Sequence, residues 1–225
     1  MRKLTLLNLM ASGLCLATGL VRADDSFTAG ASTHLMNSIT GDKWAFSASV
    51  YTYVVPDQDD YVQPTITADY GAWHFEGRYN YEAQDTASLW VGYGFGGSFG
   101  ADDGFEWQIT PMLGGVFGDR NGIAPGYRGS LRWWKLMLYS EGEQLFSTDD
   151  QDDNFFYNWS ELTLAPVNWF RFGLVTQRTR AYDSDRDIQR GLLLGATFKR
   201  VDVTAYALNL DEGDATWVVS VAGSF

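Results

Sequence analysis

The chain has 225 residues, with 28 acidic against 16 basic side chains, a formal charge of −12 and one cysteine. That sign excludes nucleic acid as a partner, because phosphates are held by cationic surfaces. After residue 23 no apolar run reaches the roughly 18 residues a membrane-spanning helix needs, yet 16% of the chain is aromatic, with nine Trp and twelve Tyr.

Arg2 and Lys3, an apolar stretch from Leu4 to Leu20, then Val21, Arg22 and Ala23 have the order of parts of a secretory signal peptide, with cleavage expected after Ala23. Cys15 leaves with it, and Leu14 before it is too large for a lipidation site. Removing 1–23 takes Arg2, Lys3 and Arg22 and no acidic residue, moving the formal charge from −12 to −15. The remainder has no thiol for a disulfide or a thiolate metal site. Residues 24–43 alternate poorly and read as a periplasmic leader or a small plug.

From Trp44 onward, segments of roughly ten residues alternate apolar and polar side chains, the pattern of strands with one face to lipid and one to a lumen. Trp44, Phe46, Ala48 and Val50 oppose Ser47, Ser49, Tyr51 and Tyr53. Next, Trp73, Phe75, Gly77, Tyr79 and Tyr81 oppose His74, Glu76, Arg78 and Asn80. Leu89, Val91, Tyr93 and Phe95 oppose Ser88, Trp90, Gly92 and Gly94, and Tyr127, Leu131 and Trp133 oppose Arg128, Ser130 and Arg132. Phe170, Phe172 and Leu174 oppose Arg171 and Gln177, and Val201, Val203 and Ala205 oppose Asp202, Thr204 and Tyr206. Twelve such segments predict an all-β fold, a transmembrane antiparallel up-and-down β-barrel over 44–225. Pro64 and Pro111 each remove a ladder hydrogen bond and are expected near a bulge or a strand end.

The connections alternate in kind. Pro56 to Asp60, Ala83 to Thr86, Gly118 to Asn121, Ser147 to Asn154, Ala181 to Asp187 and Asp211 to Ala215 are acidic or polar. Tyr70 to Ala72, Phe99 to Gly104, Trp133 to Lys135, Ala165 to Asn168 and Lys199 to Asp202 are mostly tight and often aromatic. Six of the first kind and five of the second suit twelve strands with both termini on one side, the tight turns periplasmic and the acidic loops extracellular. Trp73, Trp133, Trp134, Trp169 and Phe170 would then form an interfacial girdle.

At the C-terminus Trp217, Val219, Val221, Gly223 and Phe225 alternate up to the final carboxylate. With the signal peptide and the repeated hairpins, this last strand ending in phenylalanine resembles those of the bacterial outer-membrane β-barrel superfamily, over the whole mature chain. The resemblance implies a Gram-negative cell outer membrane, contact with its lipid and lipopolysaccharide, and recognition by the barrel assembly machinery through the strand ending at Phe225. In size and strand number the chain looks like the small monomeric channels of the oligosaccharide-specific porin kind, which implies a monomer passing small solutes.

The face expected to line the lumen collects Asp69, His74, Glu76, Arg78, Glu106, Arg128, Arg132, Lys135, Glu141, Glu161, Arg171 and Asp202. One reading is a constricted pore whose charges, Glu76, Arg78, Arg128, Glu141, Glu161 and Arg171, select solutes. The other is that these side chains pair and fill a narrow barrel, as charges away from bulk water must. Gly92, Gly94, Gly114, Gly173, Gly191 and Gly195 on or near the inward face are expected to leave space and so favour a channel.

Barrel enzymes that hydrolyse or acylate lipids need a histidine to take a serine proton. Only His34 and His74 exist, and His74 is followed two positions on by Glu76 rather than serine. A distant Ser88 or Ser130 meeting His74 across the barrel keeps a lipid-modifying enzyme as an alternative to the channel, beside a closed structural or surface-interaction barrel. Gly92, Gly94 and Gly97 spell a dinucleotide motif with no helix after it. Asp183, Asp185 and Asp187, and Asp150, Asp152 and Asn154, start like calcium loops but have Ile188 and Phe155 where glycine is required, and the first also has Leu194 where the closing glutamate belongs. Glu161 does fall at the twelfth position of the second, within a strand pattern. The Asn158-Trp159-Ser160 sequon carries no weight on a strand. No cofactor and no metal are therefore expected.

Overall fold

The computed structural model describes residues 43–56, 59–100, 104–181, 187–211 and 215–225. The expected signal peptide, nearly all of the 24–43 leader, the cluster at Asp183 and Asp185, and most of the 181–187 loop lie outside the described residues.

The strands are β1 (Trp44–Val54), β2 (Tyr61–Tyr70), β3 (Trp73–Tyr79), β4 (Thr86–Tyr93), β5 (Phe95–Phe99), β6 (Phe105–Gly118), β7 (Gly122–Trp133), β8 (Leu136–Ser147), β9 (Phe155–Val167), β10 (Phe170–Ala181), β11 (Asp187–Phe198), β12 (Val201–Leu208) and β13 (Thr216–Ser224). All pairings are antiparallel between chain neighbours, and β1 pairs with β13 to join the ends. β4 and β5 both pair with β6 in one register, Gly92 opposite Met112 and Phe95 opposite Ile109. They form one spanning strand broken at Gly94, so the barrel is closed and has twelve strands.

The break has a local cause. In that register Tyr93 falls opposite Pro111 and Gly94 opposite Thr110, and Pro111 has no N–H to give the ladder. Gly94 donates instead to the carbonyl of Ala72 in the β2–β3 turn, at 2.7 Å. Pro64 lies one residue beyond the end of the β2–β3 ladder, which starts at Thr65 opposite Arg78, and is paired on its β1 side alone. Pro64 thus sits where a bond was already absent, and Pro111 where the ladder is interrupted.

The barrel has a tight-turn end and a loop end. Gly71 (φ 57°) supplies the left-handed residue of the β2–β3 turn, and Trp134 (φ 53°) and Lys199 (φ 55°) take that conformation in the β7–β8 and β11–β12 turns. The β9–β10 turn is shorter than expected, Asn168 and Trp169 alone. Outward residues are large and exposed: Leu89, Leu113, Leu138, Leu162, Leu174, Leu192 and Val203 at mid-height. Trp44, Trp73, Phe99, Trp133, Trp134, Trp169, Phe198 and Phe225 crowd the turn end, and Phe117, Phe146 and Trp217 the loop end. Ring pairs such as Trp44 with Tyr70 (5.2 Å) and Trp73 with Tyr93 (5.1 Å) link neighbouring strands there. Strands of about ten residues, tilted, give an apolar band of about 25 Å, the height of a bilayer core.

One outward patch is polar. Asn158 Nδ2 donates to the Tyr127 hydroxyl (2.9 Å), Ser140 Oγ (3.1 Å) and the Glu141 carbonyl (2.8 Å), and Ser140 and Ser160 hydroxyls meet at 2.9 Å. These groups satisfy one another, which a lipid-facing position requires.

Because Leu192 stands at the middle of β11 and is half exposed on the outer face, Leu192→Arg is expected to cost about 2–4 kcal/mol in lipid vesicles, the usual penalty of a midplane charge. Equilibrium urea unfolding checks it; an unchanged midpoint would mean that this face does not meet hydrocarbon.

Candidate functional site

Period-two alternation sends every second side chain of each strand into the lumen, and there the structure brings opposite charges together. On β3, His74 has Nδ1 2.7 Å from Asp69 Oδ1 on β2 and Nε2 2.9 Å from Glu76 Oε2. Arg128 Nη1 on β7 donates to the same Glu76 oxygen at 3.0 Å. Arg78 Nε donates to Glu76 Oε1 at 2.5 Å, and its Nη1 crosses to Glu143 Oε2 on β8 at 2.8 Å. Its guanidinium lies 4.2 Å from the Tyr81 ring centroid and 4.6 Å from that of Trp90, an aromatic slot that stabilises a cation away from water.

A second group occupies the opposite wall. Arg171 on β10 grips Asp202 on β12 with both Nη atoms, at 2.5 and 2.8 Å, while Thr197 and Thr204 donate to the same carboxylate at 2.8 and 3.0 Å. Glu141 and Glu161 are held by neutral donors. Glu161 Oε1 accepts from Trp159 Nε1 and the Tyr206 hydroxyl, each at 2.9 Å, and Glu141 accepts from the hydroxyls of Tyr81 (2.5 Å) and Tyr139. Between the two groups is a polar cavity of about 70 Å³, lined by Ser49, Thr67, Thr204 and Ser220 as well as by the charges. That is room for a few waters. Toward the loop end the lumen is apolar, with Tyr53, Leu208 and Val218 in one buried cluster and Val116, Leu145 and Phe155 in another.

Glu76, Arg78, Arg128, Glu141, Glu161 and Arg171 thus all point inward. Two expectations are corrected, those for Lys135 and Tyr81. Lys135 is exposed on the β7–β8 turn, where its Nζ holds the Pro166 carbonyl at 2.7 Å, because the strand ends at Trp133. Glu106 and Arg132 keep inward-facing positions and pair at 2.5 Å at the half-exposed turn-end rim of the lumen. Tyr81 does not continue the outward face of Trp73 to Tyr79: Asn80 takes a left-handed turn (φ 57°) that swings Tyr81 inward to Glu141.

The glycines do not leave the lumen empty. A Cβ on Gly114 would come within 2.5 Å of the Trp90 indole, and one on Gly195 within 2.6 Å of the Arg171 guanidinium, so each is small because a large neighbour lies across it. Glu143 was absent from the expected pore-lining set although it stands two residues after Glu141 on the same face; strict alternation along β8 carries the signal that finds it. Among the described residues His74 has no hydroxyl partner: its ring nitrogens are taken by Asp69, Glu76 and Arg128. Among the described residues no three His, Cys, Asp or Glu side chains converge as metal ligands.

A closed antiparallel barrel with an apolar outer band, aromatic ends and a polar waist is a transmembrane β-barrel of the outer-membrane kind. Solved structures share the fold, two of them porins. A KdgM porin matches with a TM-score of 0.57 at 14% identity, covering 80% of this chain and 99% of that one. A KdgM porin in complex with disordered oligogalacturonate matches with a TM-score of 0.55 at 13% identity, with the same coverage. No protein-family model and no curated protein matches the sequence.

Arg171→Ala strands Asp202 in a site where both side chains are 7% exposed, and is expected to cost about 3–5 kcal/mol. Replacing both, Arg171→Met with Asp202→Leu, should recover most of that loss. Thermal unfolding of the three proteins in detergent checks both statements, and a double variant no better than the single would contradict the pairing.

Proposed function

We propose that the protein is an outer-membrane channel for passive diffusion of small hydrophilic solutes through a mixed-charge lumen, with Glu76, Arg78, Arg128, Glu141, Glu161 and Arg171 as its charged walls. The observation that carries this reading is the polar cavity at the waist, walled from β1 and β13 on one side to β8 and β9 on the other. The likeness to porin structures supports a channel over a barrel enzyme, as does the engagement of both His74 nitrogens by charged partners. Oligogalacturonate, in complex with one of the similar porins, is a chain of carboxylates, and a lumen that took up such a polyanion would need uncommitted cations. Arg78, Arg128 and Arg171 each already hold a carboxylate here, so the reading is confined to small solutes.

A closed structural barrel is the second reading, favoured by the apolar clusters toward the loop end and the buried ion pairs. Hydrophobic constrictions can also gate by dewetting, so these clusters do not by themselves exclude conduction.

Single-channel recording of the refolded protein in planar bilayers separates the two. Discrete steps are expected, with a larger step for Tyr81→Ala, since Tyr81 reaches from the β3–β4 loop to Glu141 on β8 and narrows the waist. A silent bilayer from folded protein, wild type and variant alike, would establish the closed barrel.

A further inference from the structure

The loop that carries Tyr81 also carries Glu82. Both Glu82 carboxylate oxygens are buried and have no hydrogen-bond partner. Across the lumen, Glu143 is 3% exposed at its side chain; its Oε2 holds Arg78, but its Oε1 is buried and unpartnered. Tyr81, next in the chain to Glu82, stacks 4.2 Å from the Arg78 guanidinium that holds Glu143 and bonds Glu141, so the Glu82 and Glu143 carboxylates share one neighbourhood. Around this point Glu76, Glu82, Glu141 and Glu143 outnumber Arg78, Arg128 and His74, and both guanidiniums are engaged by carboxylates. Buried like charges with free lone pairs are relieved by a proton or by a bound cation, and a cation can also engage the lone pairs that one proton leaves free.

We propose that Glu82 and Glu143 form a binding site for a cation, the ammonium group of an organic solute or an alkali-metal ion, under the β3–β4 loop. Two carboxylates suit such a ligand: three free oxygens, Glu82 Oε1 and Oε2 and Glu143 Oε1, match the donors of an ammonium group. A chelated multivalent metal is a poorer fit, since among the described residues no three acidic or imidazole ligands converge. The physiological meaning of the site rests on the channel reading: it would make the pore prefer cations and delay them at its outer side. Glu82 has no partner to lose, so Glu82→Gln leaves the rest of the network in place.

Calorimetric titration of the full protein in detergent with spermidine tests the site itself. Wild type is expected to bind one equivalent, with affinity falling about tenfold or more in Glu82→Gln, the loss of a charge-assisted contact, and unchanged in Asp119→Asn on a neighbouring exposed loop. Potassium chloride in place of spermidine distinguishes an alkali-metal ion, which would compete, from an ammonium-selective site, which would not. No binding by wild type, or equal binding by Glu82→Gln, overturns the proposal. In bilayers, a reversal potential toward potassium and a spermidine block, both weakened in Glu82→Gln, connect the site to conduction. A silent bilayer removes the channel reading, and the titration alone then decides the cation site.

Discussion

Everything in this molecule depends on the closure of its backbone hydrogen bonds. In hydrocarbon an unpaired N–H or C=O costs several kcal/mol, so a sheet that spans a membrane can have no edge. β1 and β13 meet that demand at the seam, where Phe46 and Phe225 exchange backbone bonds at 3.2 and 3.0 Å and stack their rings 6.1 Å apart. The same constraint decides where proline is tolerated. Pro111 coincides with the break between β4 and β5, and Pro64 with the end of a ladder.

Closing twelve strands makes a lumen of intermediate width, and the side chains inside must settle their charges within it. Bidentate Arg171 and Asp202, and Arg78 held by two glutamates between two aromatic rings, are the result. Large and small residues alternate across facing positions so that Trp90 and Arg171 fit over glycine. Acidic groups nonetheless outnumber basic ones at the waist. Tyrosine and tryptophan donors take up Glu141 and Glu161, and Glu82 is left without a donor.

Local alternation made most of the architecture legible. The faces of β1, β4 and β7, the turns and loops in order, and the aromatics near the turns follow from period two and from turn chemistry. Departures came where a single dihedral or a single endpoint matters. Asn80 in a left-handed conformation turns Tyr81 from the outer face to the lumen, and no polarity pattern announces it. Lys135 is outside because β7 ends two residues earlier. The glycines were readable as small but not as sites filled by a neighbour, since the filling side chain comes from another strand.

The sequence by itself determined the class of the fold, because alternation, strand length and loop order are properties of consecutive residues, and one closed sheet satisfies them in a membrane. It also determined that Glu76, Arg78, Arg128, Glu141, Glu161 and Arg171 face inward. Which charges pair was decided by tertiary structure alone: Arg78 meets Glu143 across 65 positions, and Arg171 meets Asp202 across 31. The stagger of strands around the barrel sets those distances, and that stagger is a sum over every register in the sheet, so no segment read singly contains it. For the same reason Glu82, an ordinary loop glutamate in sequence, becomes a buried and unpaired charge only when the barrel closes around it.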